Sequence, residues 1–224
     1  MCGRYSLTSP VESLVDLFDA GPLGDYGPRY NIAPSQMVPV VRLDGDGDRA
    51  WAWLKWGLIP SWAKDPAIGN RMINARSETV SEKPSFRAAF RRRRCLIPAD
   101  GFYEWQSRDG AKQPHLIAAT DGGQLAFAGL WEHWQDAEGA VIESCTIITT
   151  EANDRLRPIH PRMPVIVAPA HFDFWLAASE TAGEMLRPLF APLPDDSLTA
   201  RPVSRRVNDP RNDDPGCQEP AGLL

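Results

Sequence analysis

Four short stretches of this 224-residue chain place polar residues where an apolar interior would have none. The chain opens MCGRY, with Cys2 behind the initiator methionine and Arg4 two residues further on. RMINARSET at 71–79 sets Asn74 after an apolar pair and Arg76 after an alanine. ADGFYEW at 99–105 holds Glu104 between Tyr103 and Trp105, and LRPIHPRMPVIV at 156–167 holds His160 between Ile159 and Pro161.

Each of these residue types has a bland reading and a chemical one. Initiator methionine is commonly trimmed before a small residue, and cysteine qualifies. Trimming would give Cys2 a primary amine and a thiol on adjacent carbons, which no internal residue has; the bland reading is a small hydrophobe. Side chains alternate along a strand, so Glu104 shares a face with Phe102 and Gln106. On a buried face its pKa rises and it exchanges protons near neutral pH. On a solvated face it is an ordinary carboxylate, and the local pattern leaves both open. A histidine beside a proline has a constrained backbone, which suits a fixed orientation, or it is a loop residue without function.

Elements that would position these groups are legible in the apolar patterning. Ser9-Pro10-Val11-Glu12 reads as a capping box with proline at the first helical position, followed by Val11, Leu14, Val15 and Phe18 at helical spacing. MVPVVRL and WAWLKWGLI flank DGDGD as a hairpin with an acidic tip. Across the second strand Ala52, Leu54, Trp56 and Leu58 fall on one face and Trp51, Trp53 and Lys55 on the other. SFRAAF predicts a short helix, and CLIPA, GFYEWQ, HLIAAT, LAFAGLWEHW, VIESCTIITT and MPVIVA predict strands. A further helix is predicted from near Pro169. Many short strands without a βαβ rhythm predict an α+β fold, a single domain with a curved, largely antiparallel sheet or barrel core and flanking short helices. The domain is expected to span residues 1–208, with a Pro- and Asp-rich disordered tail at 209–224.

Composition narrows the class. Cys2, Cys95, Cys145 and Cys217 have no paired spacing, and none of the four histidines is spaced with them. They read as reduced thiols of a cytoplasmic protein, with neither a structural metal nor a cofactor expected. No apolar run approaches bilayer-spanning length and no signal peptide is evident. The net charge of −5 argues against a nucleic-acid partner, but its distribution does not. Between Arg71 and Arg94 eight Lys and Arg face two Glu, ending in the run Arg91–Arg94, which is either a basic surface or a solvated helix end.

Eight motifs then occur in order: MCGRY, RYNIAPSQ at 29–36, WGLIPSW, INARSET, ADGFYEW, IITTEAN, IHPRMPVIV and RPVSRRVN. Together they resemble the SOS response-associated peptidase family, also described as abasic site processing proteins, over residues 2–208. The resemblance implies that Met1 is lost and that Cys2 links covalently to abasic sites in single-stranded DNA. By motif it implies Cys2 as nucleophile, with Asn74, Glu104 and His160 completing the active site. It implies Arg76 and Arg162 on the DNA backbone, and Asn31, Pro34, Trp62 and Thr149 on the groove walls, with Arg4 read alongside them as part of that wall.

The chemistry suits those residues. An α-amine, with a reference pKa of about 8, is partly neutral near pH 7.5, whereas a lysine at about 10.4 is not. It attacks the open-chain aldehyde of an abasic sugar, and loss of water gives an imine. The thiol then adds to the imine carbon and closes a thiazolidine. An unclosed imine also permits β-elimination, a slow strand cleavage. Two other readings stand beside this one: a cysteine peptidase using Cys2 with His160, and a non-catalytic single-stranded DNA-binding module. A monomer is the default expectation.

Overall fold

A computed structural model of the chain describes residues 2–24, 26–108, 110–178 and 182–222. Twelve strands dominate the described residues: β1 (Tyr5–Leu7), β2 (Arg29–Ile32), β3 (Met37–Leu43), β4 (Arg49–Trp56), β5 (Asn74–Arg76), β6 (Arg94–Ala99), β7 (Gly101–Arg108), β8 (Ala111–Ala119), β9 (Leu125–Gln135), β10 (Val141–Glu151), β11 (Arg162–Pro164) and β12 (Leu198–Pro202). Helices α1 (Val11–Phe18), α2 (Arg87–Arg92) and α3 (Phe172–Leu176) lie outside them. No helix among the described residues is long and apolar enough to cross a membrane.

Strands β10, β4, β3, β6 and β9 pair in sequence, and β9 pairs back onto β10, so five strands close into a barrel. Closure removes free sheet edges. The β10–β4 and β10–β5 pairings are parallel and the other strand pairings are antiparallel. Alternation along β4 holds as the sequence suggests, with Leu54 and Trp56 buried and Trp53 40% exposed. A second sheet runs β12-β8-β7-β1-β2. Tyr5 of β1 packs edge-on against Trp56 at 5.4 Å and Phe127 at 5.9 Å, joining the second sheet to the barrel interior. The fold is therefore a single α+β domain on a largely antiparallel core.

Two local expectations change. Helix α1 starts at Val11, but Ser9 does not cap it. Its Oγ donates to Asp100 Oδ1 at 2.5 Å and its N–H to Asp100 Oδ2 at 2.8 Å. Thr8 Oγ1 also donates to Asp100, at 2.8 Å, so that carboxylate ties the β1–α1 turn to the start of β7. The second change concerns residues 209–222, which are packed rather than disordered. Val203, Val207 and Cys217 are buried against Tyr103 and Leu116 on the outer face of β7 and β8. The acidic residues that suggested disorder form turns: Asp214 accepts from Gly216 N at 3.0 Å and Asp209 from Arg211 N at 3.0 Å.

Candidate active site

The first residues of the chain reach the site through β1. Tyr5 pairs with Phe102 in antiparallel register, and Tyr103 N–H donates to Arg4 O at 2.9 Å. Continuing that register brings the residues before β1 alongside Glu104. Cys2 is fully buried there. Its carbonyl accepts from Asn74 Nδ2 at 2.8 Å, which anchors the N-terminal segment to the opposite sheet. Asn74 opens β5, whose position is set by parallel pairing with Ile147–Thr149 of β10. Trp56 Nε1 also donates to Ile73 O at 2.9 Å, holding the approach to that strand. The other amide atom, Asn74 Oδ1, is buried without a hydrogen-bond partner among the described residues.

Glu104 lies on the inward face of β7 with Phe102 and is 4% exposed, which resolves the choice left open by alternation. Burial raises its carboxyl from the ordinary 4.5 to about 7. His160 sits in the turn between β10 and β11, with Nδ1 3.8 Å from Glu104 Oε1 and 3.1 Å from the backbone of Arg162. Burial pushes the imidazole pKa down. Both shifts favour neutral forms, so this contact is an ion pair only when His160 takes up a proton. Near neutral pH the Glu104 carboxyl can release or accept a proton at little cost. Burial pushes the Cys2 thiol far up, and the neighbouring Glu104 carboxylate adds to the effect. Cys2, Asn74, Glu104 and His160, from four separate stretches, thus converge on one place.

The residues assigned to DNA contact divide into two groups. Arg76 is exposed and makes no side-chain hydrogen bond or ion pair among the described residues. Trp62 is 58% exposed and Pro34 half-buried. Arg162 is half-buried; it forks onto the Glu78 carboxylate and donates to Thr149 O at 2.6 Å. That guanidinium holds Glu78 below the usual carboxylate range. The other three turn inward. Thr149 is buried where β10 pairs with β11, and Asn31 is buried with its amide directed at the C-terminal segment. Arg4 donates to Asn31 Oδ1 and to Val207 O, both at 2.8 Å, and lies over the Trp105 ring at 5.8 Å.

The arginine run also splits. Arg94 is buried and donates to the carbonyls of Phe90, Arg91, Trp175 and Ala177, stapling α2 to α3. Arg93 pairs with buried Glu132 at 2.8 Å, while Arg91 and Arg92 face solvent. Sequence patterning did not single out Glu78, Asp100 or Asp213, all acidic residues whose partners lie far along the chain.

Comparison with known proteins agrees with this architecture. A protein of Bacteroides thetaiotaomicron of known crystal structure superposes with a TM-score of 0.86 at 25% identity, covering 98% of this chain and 100% of that one. The Bacillus subtilis protein named abasic site processing protein YoaM is 46% identical, covering 95% of both chains. The mouse protein named abasic site processing protein HMCES is 35% identical, over 89% of this chain and 67% of its own. The family model described as SOS response associated peptidase (SRAP) matches residues 1–210. With the match spanning every strand and all four converging residues, this chain belongs to the SRAP family.

Proposed function

We propose that this protein processes abasic sites in single-stranded DNA by forming a covalent thiazolidine with residue 2 of the chain. The observation that carries the reading is the convergence of Cys2 with Asn74, Glu104 and His160. The relatives named abasic site processing proteins support abasic sites as the target.

Removal of Met1 converts the Cys2 nitrogen from an amide to a primary amine. The neutral amine adds to C1′ of the open-chain sugar, forming a C–N bond as the carbonyl oxygen takes up a proton. Water then leaves and an imine forms. The thiol adds across that imine: sulfur bonds to C1′ and its proton passes to nitrogen. Aldehyde, amine and thiol become one five-membered ring and one water.

Glu104 suits the proton transfers because its carboxyl is half ionised near pH 7: it takes the proton from the ammonium form and returns it to the departing hydroxyl. His160, held by the Arg162 backbone beside Glu104, acts on the opened sugar. Asn74 fixes the nucleophile through the Cys2 carbonyl. Exposed Arg76 and Trp62 supply a phosphate contact and a stacking surface, the combination that binds single strands with little sequence preference. Slow β-elimination from the unclosed imine would be a side activity.

The peptidase alternative needs a Cys2 thiolate beside a His160 imidazolium. Burial opposes both charges, pushing the thiol up and the imidazole down. The test uses uracil-containing single-stranded DNA, treated with a uracil glycosylase and resolved on a denaturing gel. The wild-type chain should give a slowly migrating adduct and Cys2→Ser should give no heat-stable one. Equal adduct from Cys2→Ser would end the proposal, and Cys2-dependent peptide hydrolysis without adduct would favour the peptidase.

A further inference from the structure

We infer that the C-terminal segment, through Asp213, is a positioning device for the reactive N-terminus. This rests on the proposed role of Cys2 and adds a residue beyond the family match at 1–210. Asp213 Oδ1 accepts from the N–H groups of Tyr30 (2.5 Å) and Asn31 (2.9 Å), and its Oδ2 accepts from Arg29 Nε. That carboxylate therefore clamps the backbone of β2, the strand paired with β1. Asn31, buried by the clamp, donates to the carbonyls of Val207, Asp209 and Asn212 at 2.7–3.2 Å. Its Oδ1 accepts from Arg4 Nη1 at 2.8 Å, and the same Nη1 donates to Val207 O at 2.8 Å.

Arg4 is thus tied by its side chain to the C-terminal segment and by its carbonyl to Tyr103 N–H at 2.9 Å. It stands two residues from Cys2, whose own carbonyl is held by Asn74 at 2.8 Å. The segment Cys2–Arg4 is therefore stretched between two clamps, one from β5 and one from the far end of the chain. Asp213, Asn31 and Arg4 form a relay of backbone and side-chain hydrogen bonds ending next to the nucleophile. Apolar anchors keep the relay in place, since Val207 and Cys217 are both fully buried on Tyr103. A nucleophile held this way loses little orientational freedom on reaction, and small displacements in such arrangements cost roughly a hundredfold in rate.

The experiment compares wild type, Asp213→Ala, Asp213→Asn and Asn31→Ala. Three readouts are taken: single-turnover adduct formation at saturating abasic DNA, affinity for undamaged single-stranded DNA, and the alkylation rate of Cys2 followed by peptide mass. Asp213→Ala and Asn31→Ala should slow adduct formation roughly tenfold to a hundredfold, leave affinity within about twofold, and speed Cys2 alkylation. Asp213→Asn keeps an acceptor oxygen for the Tyr30 and Asn31 N–H groups, so it should restore most of the rate. Wild-type rates and alkylation in Asn31→Ala would overturn the inference. So would a loss of DNA affinity matching the loss of rate, which would make Asn31 a DNA contact. Should Asp213→Ala not fold, the Asn31→Ala and Asp213→Asn pair decides alone. If even the wild type gives no adduct, the proposed function fails, while faster Cys2 alkylation in the variants still supports the clamp and unchanged alkylation overturns it.

Discussion

Glu104→Gln isolates what burial does to the acid at the centre of the site. In the folded chain the carboxyl titrates near 7, against 4.5 in an unfolded one. The folded value is raised, so the neutral acid is the form the fold favours. Its stabilisation is complete below about pH 4.5 and is lost as pH rises through about 7. Each pH unit between the two values removes about 1.4 kcal/mol, so the ionised wild type gives up on the order of 3 kcal/mol above pH 8. Glutamine has the same shape and never ionises. Urea unfolding of both proteins, with identical N-termini verified by intact mass, should give similar stabilities at about pH 4.5. At about pH 8.5 the variant should be more stable by ~3 kcal/mol, or roughly 6–12 °C in Tm for a chain of this size. The same variant should form adduct at least about a hundredfold more slowly, having lost its proton carrier. A stability gap that stays constant within about 0.5 kcal/mol across that pH range would show that Glu104 titrates as an ordinary exposed carboxylate, and the proton-transfer role would fall with it.

Three further outcomes test the surroundings. Arg76→Ala should weaken single-stranded DNA binding and lower the slope of log affinity against log salt by about 0.7, the contribution of one phosphate contact; an unchanged slope would remove Arg76 from the interface. Asp100→Ala strips acceptors from Thr8 and Ser9 and should cost about 2–4 kcal/mol by chemical denaturation. Gly57 has φ +131°, and a Cβ there would stand 2.7 Å from Gly69 O. Gly57→Ala should therefore destabilise by about 2 kcal/mol or more, and a neutral result would contradict the tight approach of Gly57, just after β4, to the Pro66–Arg71 turn.

The strands with strong apolar patterning were legible in the sequence, from CLIPA through VIESCTIITT, because a half-buried strand writes its period into its residues. Strands β1, β2, β5 and β12 were not, since three to five residues are too few for a period and their pairing partners are distant. The four converging residues were visible as polar interruptions and through family motifs, but their meeting point depends on how the sheet holding β1 and β7 packs against β5 and the end of β10. Burial of Glu104 could not be read from alternation alone, which says which residues share a face and not what covers it. Residues 209–222 misled because Asp, Asn and Pro signal solvation by composition, while here Asp213 and Asp214 are consumed in specific hydrogen bonds. The motifs holding Arg4 and Asn31 carry no sign that their side chains reach the C-terminal segment, a contact spanning about the whole chain.

Intact mass of the DNA adduct, before and after borohydride, tests the central claim most directly. The account predicts a species equal to the chain without Met1, plus the abasic oligonucleotide, less one water, unchanged by reduction and mapping to Cys2. A species that gains two hydrogens on reduction would be an imine without ring closure, and an adduct retaining Met1 or mapping to a lysine would contradict the account.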